Sequence, residues 1–256
     1  MNKTEDQMDV TNTKDRLDNI DFCIHYLMEQ DEAEGVIYSN LRGKQQQMRA
    51  LMNVWQPQPL SDEFLAAQDA ELQAQLRDKG VVKPHERLWQ GDITRLQVDA
   101  IVNAANRRGL GCWNPLHACI DNAIHSAAGL QLRRECNNIL QGDEIATGGA
   151  IITPAYNLPA KYVIHTVGPI IPNGIPTAGQ EEQLAACYRT CLYLAMEQGC
   201  KSIAFCCIST GEFHFPNRRT AEIAIEACRG AKIRVVFNVF KDIDYDIYSE
   251  LLSKHK

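Results

Sequence analysis

The chain has 256 residues, of which 45% are hydrophobic and 23% charged, with a formal net charge of −6 at pH 7. This composition is typical of a globular protein that buries a sizeable core, and it excludes a fibrous or largely disordered chain. The negative net charge and the dispersed Lys and Arg residues argue against nucleic acid as a partner.

The first part of the chain is predicted to be helical. Apolar residues recur at intervals of three and four over 17–28 and over 41–55, with a break expected near Glu34 and Gly35. Ser61 is placed to cap a third helix that ends at Gly80. The apolar stripes of these helices are expected to pack against the protein itself rather than against a partner.

After residue 80, strand and helix patterns alternate. The sequence predicts strands over 87–90, 98–104, 150–153, 162–167, 202–208 and 233–240, and helices over 118–128, 181–198, 219–228 and 245–253. Several of these strands are continuously apolar, as in a sheet that is covered on both faces. The pattern therefore predicts an α/β fold with a mixed central sheet.

No apolar run approaches membrane-spanning length, and the first twenty residues are acidic and polar, unlike a secretion signal. Ten cysteines are scattered through predicted strands and helices, which fits a reducing compartment in which thiols stay free. We therefore expect a cytoplasmic protein that does not bind a membrane.

The loop after the second predicted strand holds a cluster of potential metal ligands. Cys112, His117 and Cys119 form the pattern C-x4-H-x-C between a strand and a helix, where open α/β sheets bind ligands. Two thiolates and an imidazole suit zinc, and three protein ligands leave one coordination position open, as in catalytic zinc sites. The spacing alone leaves a second interpretation open, that of thiols with no special role.

A second loop, over 209–216, follows another apolar strand and carries hydroxyl groups, a glycine and two aromatic side chains. Its backbone N–H groups are suited to cradle a phosphate. Neither a Walker motif nor G-x-G-x-x-G is present, so the local pattern by itself favours an ordinary connection between a strand and a helix.

Five segments in order resemble the signature of the macrodomain family. They are GDIT at 91–94, VDAIVNAAN at 98–106, IHSAAG at 124–129, HTVGP at 165–169 and STG at 209–211. The match runs from about residue 86 to the C-terminus. The resemblance implies a three-layer α/β/α macrodomain over 86–256 that binds ADP-ribose, preceded by a helical N-terminal extension over 1–85.

The chain departs from the common macrodomain pattern at residues 111–122, GCWNPLHACIDN, where most relatives have a run of glycines and then Val-Asp-Gly. This segment is similar to a zinc-dependent subgroup that carries a helical extension. The resemblance implies that Cys112, His117 and Cys119 bind Zn2+, and that the chain is an ADP-ribosyl hydrolase of the MacroD type. It also implies an ADP-ribosylated protein as substrate, in that subgroup a lipoylated carrier protein modified by a sirtuin-like transferase, with ADP-ribose as product.

The resemblance also assigns roles to single residues. Asp92 and Ile93 are expected at the adenine, and Asn103 and Asn106 under the distal ribose. Asp121 falls where the MacroD family has its catalytic aspartate. The remaining expected contacts are the diphosphate loop of Thr210, Gly211, Glu212, Phe213 and His214, then Phe215 on the distal ribose, and Asn238 and Phe240 near the adenine.

Two other functions stay open beside hydrolysis of protein-linked ADP-ribose. One is a reader that binds ADP-ribose without turnover, and the other is hydrolysis of small O-acyl-ADP-ribose. In the hydrolase, Asn106 is expected to position the ribose and Asp121 to handle protons, while zinc polarises a ribose hydroxyl or lowers the pKa of a water. His125, two helical turns beyond His117, is expected to be a core histidine.

Overall fold

The computed structural model describes residues 3–30 and 37–254, so the predicted break near Glu34 and Gly35 lies outside the described residues. The N-terminal part consists of the helices α1 (Lys3–Gln30), α2 (Leu41–Val54) and α3 (Asp62–Lys79). As predicted, the Ser61 hydroxyl caps α3 by accepting from the Phe64 N–H at 3.1 Å, and the helix ends at Gly80.

The three N-terminal helices bury a core of their own because their apolar stripes face one another. Its fully or nearly fully buried members from these helices and their ends are Ile20, Cys23, Ile24, Leu27, Met48, Met52, Trp55, Phe64 and Leu72. Leu130, which belongs to the next part of the chain, completes this core. The extension is therefore packed onto the α/β part.

The rest of the chain forms a sheet and the helices around it. The strands are β1 (Leu88–Gln90), β2 (Ala100–Ala104), β3 (Ala150–Pro154), β4 (Tyr162–Thr166), β5 (Ser202–Phe205) and β6 (Arg234–Val239), and the helices are α4 (Ile120–Ala128), α5 (Leu130–Leu140), α6 (Ala178–Glu197), α7 (Asn217–Ala227) and α8 (Asp242–Ser253). No helix within 3–30 and 37–254 has the length and hydrophobicity that crossing a bilayer requires.

The strand order is β1-β6-β5-β2-β4-β3, and all neighbours are parallel except the pair of β3 and β4. The predicted mixed sheet is thus confirmed, and helices on both faces complete three layers. The carboxyl ends of five parallel strands meet at one edge. The loops after β1, β2, β5 and β6 therefore come together there, at the place where such sheets bind ligands.

Helix α5 was missed by the sequence analysis. Its residues Leu132, Cys136 and Leu140 recur every four positions and are buried, so the helical pattern was present. The predicted helix ended at 128 because Gly129, with φ of 97°, separates α4 from α5. The glycine ends α4, and a second helix begins directly after it at Leu130.

Several predicted boundaries were also wrong by a few residues. The strand predicted over 98–104 begins at Ala100, and the strand predicted over 202–208 ends at Phe205. Helix α4 begins two residues later than predicted because Cys119 is its cap, whereas α6, α7 and α8 begin earlier. In α6, the reciprocal bonds of Thr177 and Gln180 fix the start.

Candidate active site

A cavity of about 950 Å³ opens where these loops meet, and the N-terminal helices form part of its wall. The predicted site residues that line it are Asp92, Ile93, Asn106, Cys112, His117, Cys119, Asp121, Thr210, Gly211, Glu212, Phe213, Asn238 and Phe240. Three other predicted residues, Asn103, His214 and Phe215, do not line it. The structure thus brings most of the candidates from distant parts of the sequence to one cavity.

Asp121 lies in the first turn of α4 and is only 6% exposed. Asn103 Nδ2 donates to its Oδ1 at 2.7 Å, and Asn106 Nδ2 donates to its Oδ2 at 3.2 Å. Burial outweighs these bonds and raises the pKa of Asp121 to about 6. The cavity therefore contains a carboxyl group that can take up and release a proton near neutral pH.

Asn103 lies behind Asp121 rather than in the cavity wall, because it is fully buried in β2. Its side-chain nitrogen also lies 3.1 Å from His165 Nδ1, on the paired strand β4. Burial lowers the pKa of His165 to about 3, so this imidazole is neutral. The Asn103 Nδ2 group therefore helps to fix Asp121, and the position of Asn103 under the distal ribose stays a prediction.

His125 is buried, as predicted for a core histidine, and neither ring nitrogen has a hydrogen-bond partner among the described residues. Its Nε2 lies 3.6 Å from Asp121 Oδ1. Together with Cys136 and His165 it forms a second group of potential ligand atoms that lie within 4.8 Å of one another. Burial raises the pKa of Cys136 well above its usual range, so this thiol stays protonated in the core.

The side chains of the C-x4-H-x-C pattern do converge. The ligand atoms of Cys112, His117 and Cys119 lie within 4.8 Å of one another, with Cys112 Sγ at 3.5 Å from His117 Nδ1. Tetrahedral zinc spaces such atoms by roughly 3.5–4 Å, so the donor set fits the ion after a small adjustment. Burial raises the pKa of Cys119 to about 12, and a divalent cation would offset this by stabilising the thiolate.

The surroundings of His117 also fit a metal ligand. Its second nitrogen, Nε2, lies 3.9 Å from Glu212 Oε1. This distance is longer than a hydrogen bond, but it places near the imidazole a carboxylate of the kind that orients many metal-binding histidines. Cys119 is fixed from the other side, since its sulfur caps α4 by accepting from the Asn122 N–H at 3.4 Å.

The loop after β5, residues 209–214, is called the anion cradle below, because it contains the predicted diphosphate site. Ser209 and His214 adopt left-handed φ values of 66° and 55°, a strained conformation that marks many ligand-binding loops. The His214 N–H is bonded to Gly211 O at 3.0 Å. The N–H groups of residues 211–213 donate to no other residue in the described ranges, so they are available for phosphate oxygens.

At the predicted adenine end of the cavity, Asp92 is fixed by hydrogen bonds and Phe240 is exposed. Asp92 accepts from the Thr94 N–H and hydroxyl at 3.0 and 2.6 Å, and its Oδ2 lies 3.4 Å from Lys79 Nζ. Although burial opposes them, these contacts lower the pKa of Asp92, which stays ionised. Phe240 is 76% exposed and offers a free ring face, whereas Phe215, at 1%, packs in the main core instead of reaching the cavity.

The part of the cavity wall that comes from the extension was not predicted from the sequence. Residues Arg42 and Arg49 of α2 and Gln75 and Lys79 of α3 line the cavity. The apolar periodicity of these helices predicted only which face is buried. Polar residues at other positions gave no signal of the element that they would face.

The chain is similar to several known proteins. The Macro domain family profile matches residues 102–224. A relative from Treponema medium named "Protein-ADP-ribose hydrolase" is 48% identical over 254 residues, which cover 91% of this chain and 97% of the relative. A Fusarium oxysporum relative named "Probable bifunctional ADP-ribose hydrolase/ADP-ribosyltransferase" is 44% identical over 192 residues, covering 68% of this chain and 32% of the relative.

A solved structure is similar as well. The Trypanosoma brucei macrodomain in complex with ADP-ribose superposes with a TM-score of 0.59 at 31% identity, covering 80% of this chain and 94% of that chain.

Proposed function

Because this chain belongs to the macrodomain family, we propose that it is a protein-ADP-ribose hydrolase, which releases ADP-ribose from a modified protein. The Treponema relative with that name aligns with almost its entire length. Because only 9% of this chain lies outside the alignment, it includes most of the helical extension as well as the α/β part.

The observation that carries the proposal is the arrangement within one cavity. Asp121 and the C-x4-H-x-C loop share this cavity with the free N–H groups of residues 211–213 and the exposed ring of Phe240. A chain of net charge −6 must hold a diphosphate with oriented N–H dipoles rather than with its overall field. We assign the adenine to the end with Asp92 and Phe240, and the distal ribose to the end with Asp121.

At the ribose end, Asn106 is held in place by donating to both Gly111 O, at 2.9 Å, and Asp121. Its fixed side chain is suited to orient the sugar. Asp121 exchanges the proton that hydrolysis requires. Zinc, held by Cys112, His117 and Cys119, would supply a Lewis acid or a water of lowered pKa.

We further propose that the substrate is a lipoylated carrier protein that a sirtuin-like transferase has modified. This assignment rests on the resemblance of residues 111–122 to the zinc-dependent subgroup. The Fusarium relative supports a functional link between the two reactions, since its name joins a hydrolase and an ADP-ribosyltransferase in one chain.

The test compares wild type with Cys112→Ala on two substrates, an ADP-ribosylated carrier protein and free O-acyl-ADP-ribose, while calorimetry measures ADP-ribose binding. We expect wild type to release ADP-ribose from the carrier, and Cys112→Ala to be slower by more than about 100-fold, with binding retained. Cys207→Ala is the matched control, because Cys207 also lines the cavity but lies outside the proposed ligand set.

The other outcomes separate the alternatives. Binding without release by wild type would identify a reader, and release from the ester alone would identify an O-acyl-ADP-ribose hydrolase. Release of ADP-ribose by Cys112→Ala at the wild-type rate would show that zinc takes no part in the reaction.

A further inference from the structure

We infer that helix α2 of the N-terminal extension positions the ligand loop, residues 112–119, and that Asn53 and Arg49 are the positioning residues. The inference deepens the proposed function and rests on it, because it gives the extension a task in the same site. It follows from a set of hydrogen bonds that join α2 to the backbone of this loop.

Asn53 makes the central contacts. Its side chain is 2% exposed, and its Oδ1 accepts from the Leu116 N–H at 3.0 Å and from Asn122 Nδ2 at 2.9 Å. Its Nδ2 donates to Ser126 Oγ at 3.0 Å. Three of the four hydrogen-bonding positions of the Asn53 amide therefore link α2 to the ligand loop and to α4.

The bond to Leu116 holds the loop at a strained residue. Leu116 has a φ of 58°, in the left-handed region that a leucine rarely adopts. Its side chain is 43% exposed, so core packing does not impose this conformation. Such a residue keeps its conformation only when neighbouring contacts hold it, and here the neighbour is Asn53. Because Leu116 directly precedes His117, its backbone conformation contributes to the position of the imidazole.

Arg49 holds the next point of the loop. Its Nη2 lies 3.4 Å from His117 O, and its Nε and Nη2 donate to Asn122 Oδ1 at 3.1 and 2.7 Å. Asn122, which is fully buried, in turn donates to Asn114 O at 3.0 Å. Three backbone groups of the loop are thus fixed, directly or through Asn122, by one face of α2.

A further tether joins the C-terminal end of α2 to the start of the ligand loop. Arg133 of α5 donates to Met52 O at 3.1 Å, to Trp55 O at 2.6 Å and to Leu110 O at 2.7 Å. Its guanidinium also lies 4.3 Å from the ring centre of Trp113. This side chain locks α2 to the segment that leads to Cys112.

The extension offers a matched control at a different place. Gln68 of α3 is fully buried, and its Oε1 accepts from the Leu130 N–H at 2.9 Å, just as Asn53 accepts from Leu116. Its Nε2 donates to Gln131. Gln68 therefore makes the same kind of bond between the extension and the α/β part, but it does not touch the ligand loop.

The experiment compares Asn53→Ala with Gln68→Ala in the full chain. Zinc affinity is measured by competition with a chelator, and hydrogen exchange at Leu116 is followed in metal-free protein. We expect Asn53→Ala to weaken zinc binding by about 10- to 100-fold and to speed exchange at Leu116. Gln68→Ala should change neither, although both variants lose a buried hydrogen bond. Asn53→Asp keeps the acceptor for Leu116 and should restore its protection.

Equal zinc affinity and equal exchange at Leu116 in Asn53→Ala and Gln68→Ala would overturn the inference. If wild type binds no zinc, the metal part of the proposed function fails, while exchange at Leu116 still decides whether α2 holds the loop. Should Asn53→Ala fail to fold, Arg49→Gln takes its place in the same two measurements, because Arg49 is less buried.

Discussion

At the residue scale, the cavity contains two kinds of side chain. Some are fixed by hydrogen bonds to neighbouring residues, and others are exposed and can contact a ligand. Asp92 and Asp121 accept hydrogen bonds from neighbours and Asn106 donates to its neighbours, so all three are pre-oriented before a ligand binds. Phe240 is the contrasting case, with a ring that touches little of the protein. A fixed carboxylate gives specificity, and a free ring gives stacking area.

Phe240→Ala tests this division at the adenine end. Loss of a stacking partner costs about 0.5–1.5 kcal/mol, so ADP-ribose affinity measured by calorimetry should fall by about 2- to 12-fold. Ile243→Ala is the control, because Ile243 is 58% exposed but does not line the cavity. An unchanged affinity in Phe240→Ala would place the adenine elsewhere.

Most individual site residues could be predicted from the sequence because they belong to compact motifs. Cys112, His117 and Cys119 are close in the chain, and the structure brings their ligand atoms together. Arg49 and Asn53 could not be predicted, because each forms its hydrogen bond with a residue more than 60 positions away and neither belongs to a motif. Phe215 is the opposite case. It was predicted to contact the distal ribose because it lies next to a recognisable motif, but its side chain is buried in the core.

At the element scale, two loops at the sheet edge support each other. A Cβ atom at Gly168, in the loop after β4, would overlap Ser209 Oγ and lie 2.8 Å from Ile208 Cγ2. The glycine thus lets this loop pack directly against the strained start of the anion cradle. The cradle keeps its shape through that close approach.

Gly168→Ala should therefore displace the cradle. Overpacking of this kind costs about 1–3 kcal/mol, and we expect ADP-ribose affinity, measured by calorimetry, to fall by about 10-fold or more. Gly179→Ala, where the nearest atom to an added Cβ is 3.9 Å away, should bind as wild type does. Normal binding by Gly168→Ala would mean that residues 211–213 do not hold the diphosphate.

Periodicity predicted the elements better than it predicted their limits. Strands such as β2 and β4 were predicted well because both are largely buried and each begins with an apolar run, 100–102 in β2 and 162–164 in β4. Helix α5 was missed although its pattern was present, since a glycine that ends one helix can also begin another. Helix starts moved where a cap, such as the pair of Thr177 and Gln180, decided them.

For the whole molecule, burial of neutral histidines links stability to pH. The pKa of His165 is lowered to about 3, whereas an unfolded chain has a histidine pKa of about 6.5. Below pH 6.5 the unfolded chain takes up a proton that the folded protein excludes. The stability that this histidine contributes is therefore present above pH 6.5 and is lost as the pH falls from 6.5 towards 3.

His165→Gln should reduce this dependence. In urea unfolding with excess chelator, the loss of unfolding free energy between pH 7 and pH 5 should be about 2 kcal/mol smaller than in wild type. His25→Gln, at an exposed position on α1, is the control and should keep the wild-type difference. An unaltered difference in His165→Gln would show that the buried imidazole is protonated in the folded state.

The overall architecture was predictable because the alternation of strands and helices and the ordered macrodomain motifs pointed to the same fold. How the extension sits on that fold was not predictable. Its contacts depend on Leu130 entering the N-terminal core and on single polar bonds such as that of Gln68, and neither leaves a periodic trace in the sequence.

The attachment of α2 to Leu116 and His117 bears on how such a loop can be inherited or engineered. The eight residues 112–119 are not sufficient by themselves, because the strained residue Leu116 needs contacts from α2 to keep its conformation. If residues 112–119 were grafted into a macrodomain that lacks this helix, the two thiols and the imidazole would be present but would not be held in the same orientation. We therefore expect that the loop can be transferred to another macrodomain only together with the extension.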